Sequence, residues 1–236
     1  MSASAAATGA ANGARKLRVD ITSDTICPFC ILGVRQLQVA AENYKKTHPS
    51  APELDVHFHP FQLGGGGKFT EKPVNRREYM ANNYGAERSQ AFAQNFDRQY
   101  KALGLGGFAS DAQLASSHLG HRLTAYAEDK KPEEAAGVAL DLMKNYQVDG
   151  HSPSDRDRLA QIAVSHGLFP TEQAAKDWLN GNEKDAEVRE QYKDAVDSGI
   201  TGVPFFVFDK KYATSGAVGE DQFENILDQV IKKENL

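Results

Sequence analysis

The sequence predicts an α/β fold that runs β-α-β, then a long all-helical insertion, then β-β-α. Three observations carry that prediction. Leu17-Arg18-Val19-Asp20-Ile21-Thr22 and Leu54-Asp55-Val56-His57-Phe58 alternate apolar and polar residues at period two, as strands do. From about Thr70 to Ser198 that alternation disappears and apolar residues recur at three- and four-residue spacing. Strand character then returns in Phe205-Phe206-Val207-Phe208, which is aromatic and β-branched. Neither end has enough strands to stand alone, so the two must share one sheet.

Taken in order, Leu17–Thr22 is the first strand. The next segment places Cys30, Val34, Leu37, Ala41 and Tyr44 on one helical face, and His48-Pro49 stops it. With the Leu54–Phe58 strand this reads as a parallel βαβ unit. Gly64 to Gly67 make a flexible break. In the insertion, Ser110 precedes a predicted helix with Leu114, His118, His121 and Ala125 on one face. Pro132 begins another, through Val138, Leu142 and Tyr146. Ser154 is read as the cap of a helix closed by Gly167, and Thr171 begins a further one. Asn182 to Val196 is the last. Asp209-Lys210-Lys211 turns the chain into Tyr212-Ala213-Thr214, and Phe223, Ile226, Leu227 and Val230 stripe a closing helix. The resulting organisation is a floppy tail over 1–16, an N-terminal half over 17–68, the insertion over 69–198 and a C-terminal half over 199–236.

Composition narrows the function classes. The chain has 236 residues, 40% of them hydrophobic and 25% charged, with a net charge of −5. That is globular composition, and its acidic balance argues against nucleic acid as a partner. The longest apolar run, Val203–Phe208, is too short to span a bilayer and contains a proline, so no membrane association is expected. Residues 1–16 lack the apolar centre of a secretory signal. They are acid-free and rich in Ala, Ser and Gly, which also admits an organellar address. The expected compartment is reducing and cytoplasmic.

The chemistry concentrates at Cys27-Pro28-Phe29-Cys30, which holds both cysteines of the chain where a strand gives way to a helix. A cysteine at a helix N-terminus meets unpaired N–H groups and the positive end of the dipole, which favour thiolate over thiol. Pro28 suits the first helical position. Cys30, one turn on, is placed to close a disulfide with Cys27 and resolve a mixed disulfide formed there. Coincidence and half of a zinc site are the bland readings. Zinc would need His57 and His59, which belong to a strand and not to the paired turns that zinc sites favour, so no metal is expected. A second signal is Thr201-Gly202-Val203-Pro204-Phe205. Proline at a strand's first position, after a cis bond, would leave the Val203 backbone free to pair with a substrate beside Cys27.

These landmarks resemble the DsbA-like thioredoxin-fold oxidoreductases, particularly the FrnE-like branch, over about residues 17 to 234. Asp24-Thr25-Ile26-Cys27-Pro28-Phe29-Cys30, followed by Leu32-Gly33, is similar to that branch's active-site run. His59-Pro60-Phe61-Gln62-Leu63 resembles its R-P-F-x-L run, with His59 in place of arginine. Ser117 to Leu123 resembles its A-H-R-L helix, with Gly120 in place of alanine. Gly199 to Phe206 and Ser215-Gly216-Ala217 match the closing half. The resemblance implies a thioredoxin fold interrupted by a helical domain. It implies catalytic Cys27 and Cys30, a cis Pro204, and substrate contacts at Val203, Pro204, Pro28, Phe29 and His121. It further implies protein or small-molecule thiols and disulfides as partners, with glutathione a candidate co-substrate and no bound cofactor beyond the redox-active disulfide.

Two other functions compete with a thiol–disulfide oxidoreductase. Kappa-class glutathione transferases and 2-hydroxychromene-2-carboxylate isomerases share the interrupted fold but carry serine at the first active-site position, whereas this chain keeps Cys27 and Cys30. A non-catalytic binding module would have no use for the pair. His118 and Trp178 read more simply as packing residues.

Overall fold

A computed structural model describes residues 15–64 and 68–236 of the chain. The tail reading therefore falls almost wholly outside the described residues, as do three of the four glycines at 64–67. The elements are β1 (Leu17–Ser23), α1 (Pro28–Thr47), β2 (Leu54–Pro60), β3 (Val74–Asn75), α2 (Arg76–Tyr84), α3 (Ala86–Ala102), β4 (Gln113–Leu114), α4 (His118–Lys130), α5 (Pro132–Gln147), α6 (Arg156–Ser165), α7 (Glu172–Asn180), α8 (Asp185–Asp197), β5 (Phe205–Phe208), β6 (Tyr212–Ser215) and α9 (Glu220–Glu234). None of the described helices is long and apolar enough to cross a membrane.

The two ends of the chain build one four-stranded sheet in the order β2-β1-β5-β6. β1 is parallel to β2 and antiparallel to β5, and a tight turn with positive φ at Asp209 and Lys210 joins β5 to β6. Alternation decides the faces. Leu17, Val19 and Ile21 are fully buried, while Arg18 and Asp20 lie on the other face, bonded to each other and, through Asp20, to His59. α1 and α9 pack together and share a core with Phe206, Phe208 and Phe223. Burying each such ring is worth about 1.5–3 kcal/mol.

Register brings the two halves of the site together. Thr22 of β1 lies opposite Phe205 of β5. The loop leaving β1, Asp24 to Cys27, therefore meets the loop entering β5, Val203-Pro204. Gly33 keeps them close, because a Cβ there would stand 3.1 Å from Pro204 Cγ and 3.2 Å from Phe206 Cζ. Gly33→Val is accordingly expected to lower the unfolding free energy by about 1–3 kcal/mol through overpacking, read as a shift in the urea midpoint.

The insertion is helical but not free of strand. Val74-Asn75 and Gln113-Leu114 form a two-residue antiparallel ladder. Leu114 therefore leaves the helix that its spacing to His118 predicted, and α4 begins only at His118. The cause is competition for backbone bonds: Ser116 N bonds Thr70 O, and Arg76 N bonds Ala112 O, which holds this stretch extended. The α6 cap is Asp155, which accepts from Asp157 N and Arg158 N, while Ser154 Oγ donates to Ser116 O. Pro132 opens α5 and Thr171 caps α7 as expected. The last insertion helix starts at Asp185, three residues later than its polarity suggested. One apolar cluster joins α4 to α7, yet Phe96, Tyr100, Phe108, Ala139 and Met143 belong to the sheet's own core.

Candidate active site

Cys27 is the N-cap residue of α1, with extended backbone and no side-chain cap, and Pro28 fills the first helical position. Its N–H bonds Asp24 O at 3.0 Å, and its carbonyl accepts from Cys30 N at 3.1 Å. The thiol therefore stands at the mouth of the helix, beside the free N–H groups of the first turn. Cys27 Sγ donates to Val203 O at 3.5 Å, and the Val203–Pro204 peptide bond is cis. Both cysteines are free thiols. They differ in exposure: Cys27 keeps 4% of its surface and Cys30 none. Burial, together with the neighbouring Cys27 sulfur, holds the Cys30 thiol well above the ordinary thiol range.

The model of the DSBA-like thioredoxin domain matches residues 18–228, nearly the whole described chain. The chain belongs to the DSBA-like thioredoxin domain family. Among solved structures, this DSBA-like protein is similar to a probable DsbA oxidoreductase from Streptomyces coelicolor. The two share 27% identity with a TM-score of 0.74, covering 90% of this chain and 89% of the other. It has the fold of the cytosolic disulfide reductase DsbM from Pseudomonas aeruginosa, solved with GSH, at 17% identity and a TM-score of 0.56, covering 91% of this chain and 99% of DsbM. A 2-hydroxychromene-2-carboxylate isomerase shares that fold at 16% identity and a TM-score of 0.66, covering 92% of this chain and 98% of the isomerase. No curated protein matches it in sequence.

The loop that presents Cys27 in this DSBA-like chain is pinned from four directions. Asp24, fully buried, accepts from Ile26 N at 3.2 Å and from Leu63 N at 2.8 Å. Gln147 at the end of α5 donates to Thr25 O at 2.9 Å. Tyr100 of α3 donates its hydroxyl to Pro28 O at 2.8 Å, and Phe29 rests edge-on against Phe96. Phe29 stays 44% exposed, a large apolar ring beside the thiol. Such support holds the Cys27 loop in one position.

Of the residues expected at the site, Cys27, Pro28, Phe29, Cys30, Val203 and Pro204 share one small region. His121 reaches it from behind. Its Nε2 lies 3.4 Å from Asp24 Oδ1, outside hydrogen-bond alignment, and its ring meets Tyr192 edge-on. It also lines a polar cavity of about 210 Å³ between the sheet edge and the insertion. The two histidines weighed as zinc ligands have other partners: His57 faces Asp55 and Glu128, and His59 bonds Asp20. His118 bonds Asp185 and Tyr192. Burial lowers its basicity, and the Asp185 carboxyl, held by Arg189 and His118, falls to about 2. Sequence reading gave Asp24, Tyr100 and Gln147 no role. Asp24 had a signal, since an aspartate two residues before Ile26 can form an Asx turn. Tyr100 and Gln147 had none, because each acts across more than seventy residues of sequence.

Proposed function

We propose that this DSBA-like protein is a thiol–disulfide oxidoreductase that cycles Cys27 and Cys30 between dithiol and disulfide. The observation that carries the reading is the pairing of a helix-capping Cys27, 3.5 Å from Val203 O, with a buried second thiol one turn away. The Cys27 thiolate attacks one sulfur of a substrate disulfide, forms the mixed disulfide and expels the other sulfur as a thiolate. Cys30 then gives up its proton and attacks Cys27 Sγ, which closes the protein disulfide and releases the second substrate thiolate. Two electrons pass from the protein dithiol to the substrate, and the reverse sequence oxidises a substrate dithiol. The cis Val203–Pro204 loop offers backbone groups beside the sulfur, where an extended thiol substrate can pair.

The same reading takes protein or small-molecule thiols as partners, glutathione among them. It places the protein in a reducing compartment, because the chain has two cysteines and both stand at the site. Cys30→Ser is expected to accumulate a mixed disulfide at Cys27 when the protein meets glutathione disulfide, seen as a mass increase of one glutathionyl group. Undiminished multiple turnover by that variant would favour a glutathione-dependent isomerase or transferase, whose chemistry needs no second thiol.

A further inference from the structure

Beside Pro28 and Ile26 lies a cavity of about 270 Å³ whose walls are mostly apolar, Tyr79 and Tyr146 among them. Arg76, the first residue of α2, lines both this cavity and the groove that continues beyond it. Arg76 is 7% exposed, and among the described residues it makes no ion pair. Its Nη1 donates to Gln147 Oε1 at 2.9 Å and its Nη2 to Ala109 O, while Nε has no partner. The guanidinium lies 3.9 Å from the centre of the Phe108 ring and 4.9 Å from that of Tyr146, whose buried hydroxyl is likewise unpartnered. Asp111, a carboxylate whose charge reaches the guanidinium, pairs with Arg77 at 2.7 Å. A second cation, Lys68, stands at the rim over Phe69 and Tyr79 and has no carboxylate partner among the described residues.

A buried charge without a counter-ion is costly, and burial pushes this guanidinium below its ordinary value. Two uncompensated cations at one apolar cavity are notable in a chain whose net charge is −5. The cost falls when an anion enters, because the cavity's low dielectric strengthens the attraction. We propose that this cavity binds the carboxylate of the thiol partner, with Arg76 as the buried anchor and Lys68 as the rim charge. The occupant is a small, carboxylate-bearing thiol or disulfide. The cavity is too small for a folded partner, and its lining includes Ile26 and Pro28, the residues on either side of Cys27 in the chain. The inference rests on the oxidoreductase reading and adds charge selection to it.

The test measures reaction at Cys27, read as loss of its free thiol whether the product is the mixed disulfide or the Cys27–Cys30 disulfide that Cys30 closes from it, with three disulfides: glutathione disulfide, its methyl ester with every carboxylate masked, and the neutral hydroxyethyl disulfide. Wild-type protein is expected to react at least about tenfold faster with glutathione disulfide than with the ester, the worth of one charge-assisted contact. Arg76→Gln should bring that ratio towards one, and Arg76→Lys should restore part of it. Arg76→Gln also loses its bond to Ala109, so Lys68→Glu at the exposed rim supplies a variant outside the core, and it too should lower the ratio. A wild-type ratio near one, with hydroxyethyl disulfide still reacting at Cys27, would overturn the anion site and leave the oxidoreductase reading standing. A ratio unchanged by both Arg76→Gln and Lys68→Glu would also overturn the site. If none of the three disulfides reacts at Cys27, the function and the site fall together.

Discussion

Cys27→Ala is expected to slow disulfide exchange by about 10²-fold or more at pH 7, because the thiol that remains is a poor substitute. Cys30 is fully buried and its thiol is held well above the ordinary range by that burial. At neutral pH it is held as the thiol, whereas the thiolate is the form that attacks. The small residual rate should climb about tenfold for each pH unit through pH 9, since each unit multiplies the Cys30 thiolate while the thiol form still dominates. Wild-type exchange starts at Cys27, the N-cap residue of α1. Iodoacetamide alkylation followed by mass spectrometry checks both points. One thiol should react quickly in the wild type and none in Cys27→Ala. Fast labelling of Cys30 in the variant would show that the buried thiol is within reach and would remove the division of labour between the two cysteines.

Asp24→Ala is expected to be the most damaging substitution for stability, at about 3 kcal/mol or more. The carboxylate is fully buried, accepts from Ile26 N and Leu63 N, and stands 3.4 Å from His121 Nε2. Removing it leaves two backbone donors without partners and a buried imidazole without its neighbour. Asp24→Asn keeps one acceptor oxygen and should cost less. The urea midpoint reports the stability loss. The rate of Cys27 alkylation reports whether the Asp24–Cys27 loop has loosened, and it should change in Asp24→Ala even at denaturant-free conditions where the chain is folded. Equal midpoints for wild type and Asp24→Ala would contradict the role given to this carboxylate.

The strands at either end of the chain were legible because burial on a half-covered sheet writes itself at period two: Val19 and Ile21 face the core, and Arg18 and Asp20 face away. Cys27 and Pro28 were legible because a helix start needs few residues and each has a local reason. The loop at Val203-Pro204 was legible as an odd place for proline, and the register of Thr22 with Phe205 explains why it meets Cys27. Leu114 misled because its four-residue spacing to His118 imitates a helix, whereas its backbone pairs with Val74. The supports of the site were the least legible. Gln147, Tyr100 and Arg76 come from helices that the fold alone brings to the Cys27 loop, and a local pattern holds no trace of a contact made across that distance. An unpaired buried arginine, in particular, looks in sequence like any solvated helix-starting cation.

The central claim is that Cys27 and Cys30 exchange two electrons reversibly with thiol partners. Equilibration of the protein across glutathione redox buffers, with the fraction of dithiol read by mass after acid quench and alkylation, tests it most directly. The account predicts a single two-electron transition between the dithiol and the Cys27–Cys30 disulfide, fully reversible from either side and absent in both Cys27→Ala and Cys30→Ser. A protein that remains dithiol across the whole range, or that stops at a glutathione adduct without closing the Cys27–Cys30 bond, would contradict it.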